Sequence, residues 1–187
     1  MPSWANLANL LTALRIVLVP FIIDAIVEHN PVRAIVLFAS AAATDGLDGI
    51  AARATGSISR LGAYLDPVAD KCLLSGVFLA LAAAGLVPVW FVAVIFGRDL
   101  YILAAAAFLL WLTPVRSFPP SVWGKVSTFV QVVTATIWLA ANATDTSLLE
   151  TLAGAMLWPC AAFTVWSGVY YTWRGLGLAR THSARAH

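Results

Sequence analysis

Six stretches of about 20 apolar residues, separated by short polar breaks, limit what this chain can fold into more than any other feature. They run over about 8–28, 33–53, 61–84, 88–111, 121–141 and 148–172. A helix of about 20 apolar residues crosses the hydrocarbon core of a bilayer. In lipid every backbone polar group must find its partner within the chain, which leaves helices or a closed barrel. The runs are too long for strands. The sequence therefore predicts an all-α fold, an integral membrane bundle of six transmembrane helices forming a single domain over residues 1–187. The breaks carry turn residues: Glu28-His29-Asn30-Pro31, then Gly85 to Pro88, Thr113 to Pro120 and Asn142 to Ser147. Only 11% of the residues are charged against 61% hydrophobic, which excludes an ordinary soluble domain. The net charge of +2 is too small to argue for a nucleic-acid partner. Cys72 and Cys160 lie in different apolar runs and make neither a metal motif nor a disulfide framework. The first run is not a signal peptide: it lacks a basic leader and carries Arg15 and Asp24.

Lysine and arginine in the loops set the orientation. With the amino terminus in the cytoplasm, Arg53, Arg60, Arg116, Lys125, Arg174, Arg180 and Arg185 all fall on the cytoplasmic side, and only Arg33 faces out. Both termini are then cytoplasmic.

Against this apolar background, Thr44 to Lys71 holds four aspartates. Residues three and four apart share a helix face. Asp45, Asp48, Gly49 and Ala52 therefore form one stripe, and Gly62, Asp66 and Asp70 a second. The polar stretch Arg53 to Leu61 connects two helices that can lie antiparallel, acidic stripes facing. A carboxylate at the bilayer centre costs roughly 2.5–3.5 kcal/mol on insertion scales. Four together must be protonated, paired or metal-bound. An all-oxygen set suits hard ions such as Mg²⁺, Mn²⁺ or Ca²⁺, and Mg²⁺ is commonly shared between carboxylates and substrate phosphates. Arg53 at the edge suits a phosphate oxygen. The local chemistry points to metal-assisted reaction of a phosphate ester or anhydride.

Asp45-x-x-Asp48-Gly49-x-x-Ala52-Arg53, eight residues, then Gly62-x-x-x-Asp66-x-x-x-Asp70, resembles the full signature of the CDP-alcohol phosphotransferase family in residue type and spacing. The resemblance implies a membrane enzyme that moves a phosphatidyl group from CDP-diacylglycerol to an alcohol and releases CMP, in phospholipid biosynthesis. It implies two divalent cations, Mg²⁺ or Mn²⁺, held by Asp45, Asp48, Asp66 and Asp70, with Asp70 also the base that deprotonates the acceptor. Gly49, Ala52 and Gly62 would let cytidine and diphosphate approach the backbone, with Arg53 near the phosphates. It further implies a homodimer, and the lysine and arginine bias puts the acidic connection, and with it the active site, on the cytoplasmic side of what is expected to be a bacterial inner (cytoplasmic) membrane.

Other intramembrane polar residues fall into the same frame. Asn9, Thr12 and Arg15 share a face, and the segment resembles the Asn-Leu-x-Thr-x-x-Arg first helix of bacterial phosphatidyltransferases. Asn9 and Thr12 are then candidates for CDP-diacylglycerol. Arg15 is a candidate for phosphate or for a signature aspartate, with snorkelling to the interface as the bland alternative. Asp24, one turn before Glu28, reads as interfacial. Lys71 points about 100° away from the aspartate stripe and suits an acid or a headgroup equally. Arg98 and Asp99 are adjacent, so each is expected to need its own partner: two structural ion pairs, or Arg98 turned to an acceptor phosphate. Lys125, Thr128 and Gln131 share a face and resemble the Gly-Lys-x-x-Thr-x-x-Gln stretch of the glycerol-type branch, with Lys125 a candidate for the acceptor or an interfacial anchor. Members that use glycerol-3-phosphate frequently carry a second lysine where this chain has Ser127.

Phosphatidylglycerol is accordingly the lead acceptor, as in a cardiolipin synthase, with glycerol-3-phosphate close behind. Outside this class the rivals are a divalent-cation transporter and a catalytically silent assembly protein. The first does not explain the small residues at fixed offsets, and the second has no need for all four acids. Trp90, Trp111, Trp123, Tyr170, Tyr171 and Trp173 fit an aromatic belt near span ends. Asn142-Ala-Thr144 matches a glycosylation acceptor only as a short pattern, and His182 and His187 lie in a polar tail.

Overall fold

The structure is a computed structural model. It describes the backbone of residues 3–55, 60–112, 122–144 and 146–183, and the side chains of residues 10–44, 68–105, 122–144 and 146–174. The described residues form six helices in chain order: α1 (Ser3–Val27), α2 (Pro31–Thr55), α3 (Arg60–Ala83), α4 (Val89–Leu112), α5 (Val122–Ala143) and α6 (Ser147–Ser183). Each apolar run of the sequence is one of them. Among the described residues, three stretches are long and apolar enough to cross a membrane: Leu10–Val27, Val122–Ala143 and Ser147–Arg174.

Local chemistry explains where the helices stop. At the end of α1, His29 takes φ 55°. Asn30 N–H donates to Ala25 C=O at 2.9 Å and His29 N–H to Ile26 C=O at 3.1 Å. This is a Schellman cap with histidine where glycine is usual. Asn30 then caps α2: its Oδ1 accepts the Arg33 N–H at 3.2 Å, and Pro31 occupies the first helical position, where a missing N–H costs nothing. The same cap recurs at the end of α3. Gly85 sits at φ 73°, with Leu86 N–H on Leu81 C=O at 2.9 Å and Gly85 N–H on Ala82 C=O at 3.0 Å. The α1–α2 turn is also an exposed ion cluster, in which Arg33 lies 3.0 Å from Glu28 and 3.4 Å from Asp24. Asp24 thus answers to Arg33.

The chain divides into two compact units, residues 1–88 with 135–153, and residues 89–134 with 154–187. In the first, α1 packs against both α2 and α3. Its core comprises Ile22 and Ile26 of α1, Phe38 of α2, Phe78 and Leu81 of α3 and Leu139 of α5, all under 4% exposed. Small residues let helix backbones approach closely in a membrane, where packing rather than water exclusion drives association. Gly76 serves this purpose: a Cβ there would stand 3.0 Å from Val19 Cγ1 and 3.1 Å from Ile23 Cδ1. Gly76→Leu is therefore expected to push α1 off α3 at a cost of about 1–3 kcal/mol. A thermal unfolding scan in detergent checks this; an unchanged midpoint means α1 gives way without strain.

The second unit carries a buried polar seam. Ser127, Gln131 and Thr134 of α5 and Thr164 and Ser167 of α6 are all under 2% exposed. Gln131 Nε2 donates to Thr164 Oγ1 at 3.2 Å, and the hydroxyls of Ser127 and Thr164 lie 3.4 Å apart. Aromatic pairs mark the rest of this unit, with Trp90 and Trp158 ring centres 5.4 Å apart and Trp123 and Trp166 6.0 Å apart.

Candidate active site

The signature spans the α2–α3 junction. Asp45, Asp48, Gly49, Ala52 and Arg53 lie on the last three turns of α2, and Gly62 and Asp66 on the first two turns of α3. Because the helices are continuous through these positions, the two stripes exist as stripes on the backbone. The side chains of these seven residues lie outside the described residues, as does that of Asn9 on α1. The facing of the two acidic stripes falls there too. Among the described residues, no three His, Cys, Asp or Glu side chains gather at one point.

Asp70, the last signature aspartate, is described, and it meets Arg15. Arg15 Nη1 donates to Asp70 Oδ1 at 2.7 Å, joining α1 to α3 across 55 positions of sequence. The two partners differ in exposure: the Arg15 side chain is 1% exposed and that of Asp70 42%. Thr12, one turn before Arg15, is fully buried. Arg15 is thus paired with a signature aspartate. Arg15 is no snorkelling residue, since its charged end lies inside the protein. Lys71 is half-buried beside this pair in sequence and, like Asp70, has further partners.

In the second unit, Arg98 corrects an expectation. Adjacent charges were expected to need separate partners, yet Arg98 Nη1 donates to Asp99 Oδ1 at 2.7 Å. The reason is reach. Consecutive residues leave a helix about 100° apart, but the long arginine side chain folds back across that angle. Arg98 also donates through Nη2 to Ser167 Oγ, and its guanidinium lies 5.9 Å from the Tyr171 ring centre. Its stem passes over Gly168, where a Cβ would stand 3.6 Å from Arg98 Cγ. Arg98 is thus held on α4 and against α6.

The face carrying Lys125, Thr128 and Gln131 is divided by packing. Lys125 is exposed, Thr128 is half-buried with its hydroxyl on Gly124 C=O at 3.1 Å, and only Gln131 is buried. The buried face of α5 is Ser127, Gln131 and Thr134, which sequence reasoning did not single out as a set. Their i, i+4, i+7 spacing was the available signal, and Cys160, Thr164 and Ser167 repeat it on α6. Asn142 is tied to its own helix by Nδ2 donating to Trp138 C=O at 2.8 Å.

These features define an all-helical membrane protein with a conspicuous acidic signature on two consecutive helices, one aspartate of which is gripped by an intramembrane arginine. Residues 5–166 match the family described as CDP-alcohol phosphatidyltransferase. The chain is 34% identical over 182 residues to the probable phosphatidylglycerophosphate synthase of Mycobacterium tuberculosis (strain ATCC 25618 / H37Rv), covering 92% of this chain and 82% of the relative. It is 30% identical over 181 residues to the CDP-diacylglycerol–glycerol-3-phosphate 3-phosphatidyltransferase of Bacillus subtilis (strain 168), covering 89% and 93%. It is 33% identical over 184 residues to the cardiolipin synthase (CMP-forming) of Rattus norvegicus, covering 88% of this chain and 59% of that protein. The chain belongs to the CDP-alcohol phosphatidyltransferase family. It is an integral membrane protein by its apolar helices and its family, and the cation-transporter reading is not favoured.

Proposed function

We propose that this chain transfers a phosphatidyl group from CDP-diacylglycerol to the hydroxyl of an alcohol and releases CMP, with the whole of residues 1–187 acting as one catalytic domain. The observation that carries the reading is Asp70. It is the last residue of a complete family signature, it is held at one oxygen by Arg15, and it keeps 42% of its side chain accessible. A base must be both fixed in direction and reachable by its substrate.

The donor set fits a divalent ion. Asp45, Asp48, Asp66 and Asp70 supply only carboxylate oxygen, the ligand type hard cations select. These four would hold two ions, Mg²⁺ or Mn²⁺, whose chemistry is to grip the diphosphate, polarise phosphorus and stabilise the departing CMP. The chain's own residues do the rest. Asp70 takes the proton of the acceptor hydroxyl, the freed oxygen forms the new bond to phosphorus, and the bond from phosphorus to CMP breaks. Arg53 steadies the phosphates by charge-assisted hydrogen bonds. Gly49, Ala52 and Gly62 admit cytidine and diphosphate to the backbone, and Asn9 lines the approach from α1, while Thr12, fully buried, backs the same face of that helix.

The acceptor we favour is phosphatidylglycerol, giving cardiolipin. A free phosphomonoester such as that of glycerol-3-phosphate calls for cations at its binding site. Members that use glycerol-3-phosphate frequently carry a second lysine where this chain has the uncharged Ser127. Glycerol-3-phosphate stays as the second reading because the relatives that this chain covers most fully are named for phosphatidylglycerophosphate synthesis.

All six helices are proposed to span the bilayer with both termini in the cytoplasm, supported by the seven-to-one arginine and lysine bias and by helix lengths of 22–25 residues for α1 to α5. The active site then opens to the cytoplasm, where CMP leaves. A bacterial inner membrane and a homodimer complete the reading.

The test uses purified protein in detergent with Mg²⁺ or Mn²⁺ and CDP-diacylglycerol. CMP release is followed with phosphatidylglycerol or glycerol-3-phosphate supplied separately. Release that depends on phosphatidylglycerol supports a cardiolipin synthase. Release with glycerol-3-phosphate alone transfers the assignment to the second reading, and no release with any alcohol rejects the reaction.

A further inference from the structure

We propose that Arg15 is a positioning residue for Asp70: its guanidinium fixes the carboxylate that accepts the acceptor's proton, and it does not itself bind a substrate phosphate. This inference rests on the phosphatidyl-transfer reading and adds to it how the base is aimed.

Three observations carry it. The first is the asymmetry of the pair. A buried ion pair that serves packing alone repays its desolvation only when the hydrogen bonds of both partners are met inside the protein. Here the holder is enclosed at 1% exposure and the held carboxylate is open at 42%. The arrangement leaves the aspartate reachable and the arginine not. A phosphate ligand would need the reverse, an arginine whose donors reach the substrate space.

The second observation is the length of chain between the partners. The hydrogen bond crosses from α1 to α3 at 2.7 Å with 55 positions between its ends. No local geometry enforces such a contact, so its alignment depends on how α1 sits on α3. The third observation is that this seating is closely determined. Val19 and Ile23, one and two turns beyond Arg15 on α1, come within 3.0 and 3.1 Å of where a Gly76 Cβ would stand. Gly76 lies on α3, less than two turns past Asp70. Close helix contact a few residues along thus sets the register in which Arg15 meets Asp70. Thr12, fully buried one turn back, closes the same face of α1.

A carboxylate on a two-bond stem rotates readily. Hydrogen-bonding one oxygen to a buried, planar guanidinium restricts that rotation, since arginine's donors are fixed in one plane and lysine's are not. Proton transfer and attack then start from one geometry, and misplacement of the order of 1 Å at such a point costs about 10²-fold in rate.

The experiment compares wild type, Arg15→Gln, Arg15→Lys and Asp70→Asn by steady-state CMP release, with KM for CDP-diacylglycerol and for the acceptor, and by thermal midpoint in detergent. Arg15→Gln is expected to lower kcat by about 10²-fold with both KM values within about threefold of wild type, the signature of an interaction used in the transition state. Arg15→Lys is expected to recover about tenfold of that loss, keeping the charge but not the fork. Wild-type kcat in Arg15→Gln overturns the inference. A raised KM with unchanged kcat also overturns it, because Arg15 is then a substrate ligand. If Arg15→Gln does not fold, Arg15→Lys decides by the same split between kcat and KM. If neither folds, the pair is structural and the inference is wrong. These results leave the phosphatidyl-transfer reading standing so long as wild type releases CMP and Asp70→Asn does not. A wild type inactive with every alcohol overturns both.

Discussion

CMP release by the Asp70→Asn variant is expected to fall by roughly 10²–10⁴-fold, the range that a positioned general base contributes. The upper end is expected here because one side chain is asked to do two things. In the proposed reaction Asp70, as a carboxylate, accepts the acceptor's proton and contributes oxygen to the cation site. As an amide it does neither, since the side-chain nitrogen cannot accept a proton at neutral pH and a neutral oxygen is a poorer ligand for a hard cation. Asparagine nearly preserves shape, so packing between α1 and α3 is disturbed little. Arg15, buried at 1% exposure, can still donate to the amide oxygen. The hydrogen bond stays charge-assisted from the arginine side, but the buried guanidinium loses its counter-charge. A lowered thermal midpoint together with near-complete loss of turnover is therefore the expected pattern. Single-turnover CMP release at saturating acceptor measures the chemical step. A rate within tenfold of wild type places the base elsewhere.

Removing divalent cations is expected to stop CMP release altogether, and adding back Mg²⁺ or Mn²⁺ to restore it. Four carboxylates lie on two adjacent helices in a chain with only 9 acidic residues in all. Asp70 is paired with Arg15; carboxylates gathered in a medium of low dielectric are otherwise relieved of their repulsion by bound cations or by protons. A ligand that binds the folded state alone stabilises it by about 2.7 kcal/mol at a hundred times its Kd. EDTA should then lower the thermal midpoint of the wild type as well as its activity. The same treatment should shift Asp45→Asn or Asp66→Asn less, because each has already lost a ligand and a charge. Full activity in excess EDTA overturns the cation requirement. An unchanged midpoint with lost activity points to cations that arrive with the nucleotide instead of residing in the protein.

Much of this protein is legible in its sequence, and the reason is periodicity. Six apolar runs become six helices, with ends that agree within a few residues where the breaks are built of Asn-Pro and Gly caps acting locally, whereas α6 runs on to Ser183, well past the expected end near 172. The two acidic stripes need only a continuous helix through Asp45–Ala52 and through Gly62–Asp70, and both helices are continuous. Nothing distant is required to put residues four apart on one face.

Contacts between helices are another matter. That Arg15 meets Asp70 follows from how α1 lies on α3, a relation set by Gly76, Val19 and Ile23. Helical spacing offers two faces of α5 as equally polar, one with Lys125, Thr128 and Gln131 and one with Ser127, Gln131 and Thr134. Packing against α6 buries the second and leaves Lys125 exposed. Arg98 and Asp99 illustrate a different limit, because their pairing depends on a side-chain rotamer that residue spacing does not encode. The sequence by itself determined the helices, their caps and the stripe of each chemically active residue, all of which depend on neighbours within a turn or two. Only the tertiary structure decided which buried charge meets which, because that depends on the approach of helices whose contacting residues are tens of positions apart.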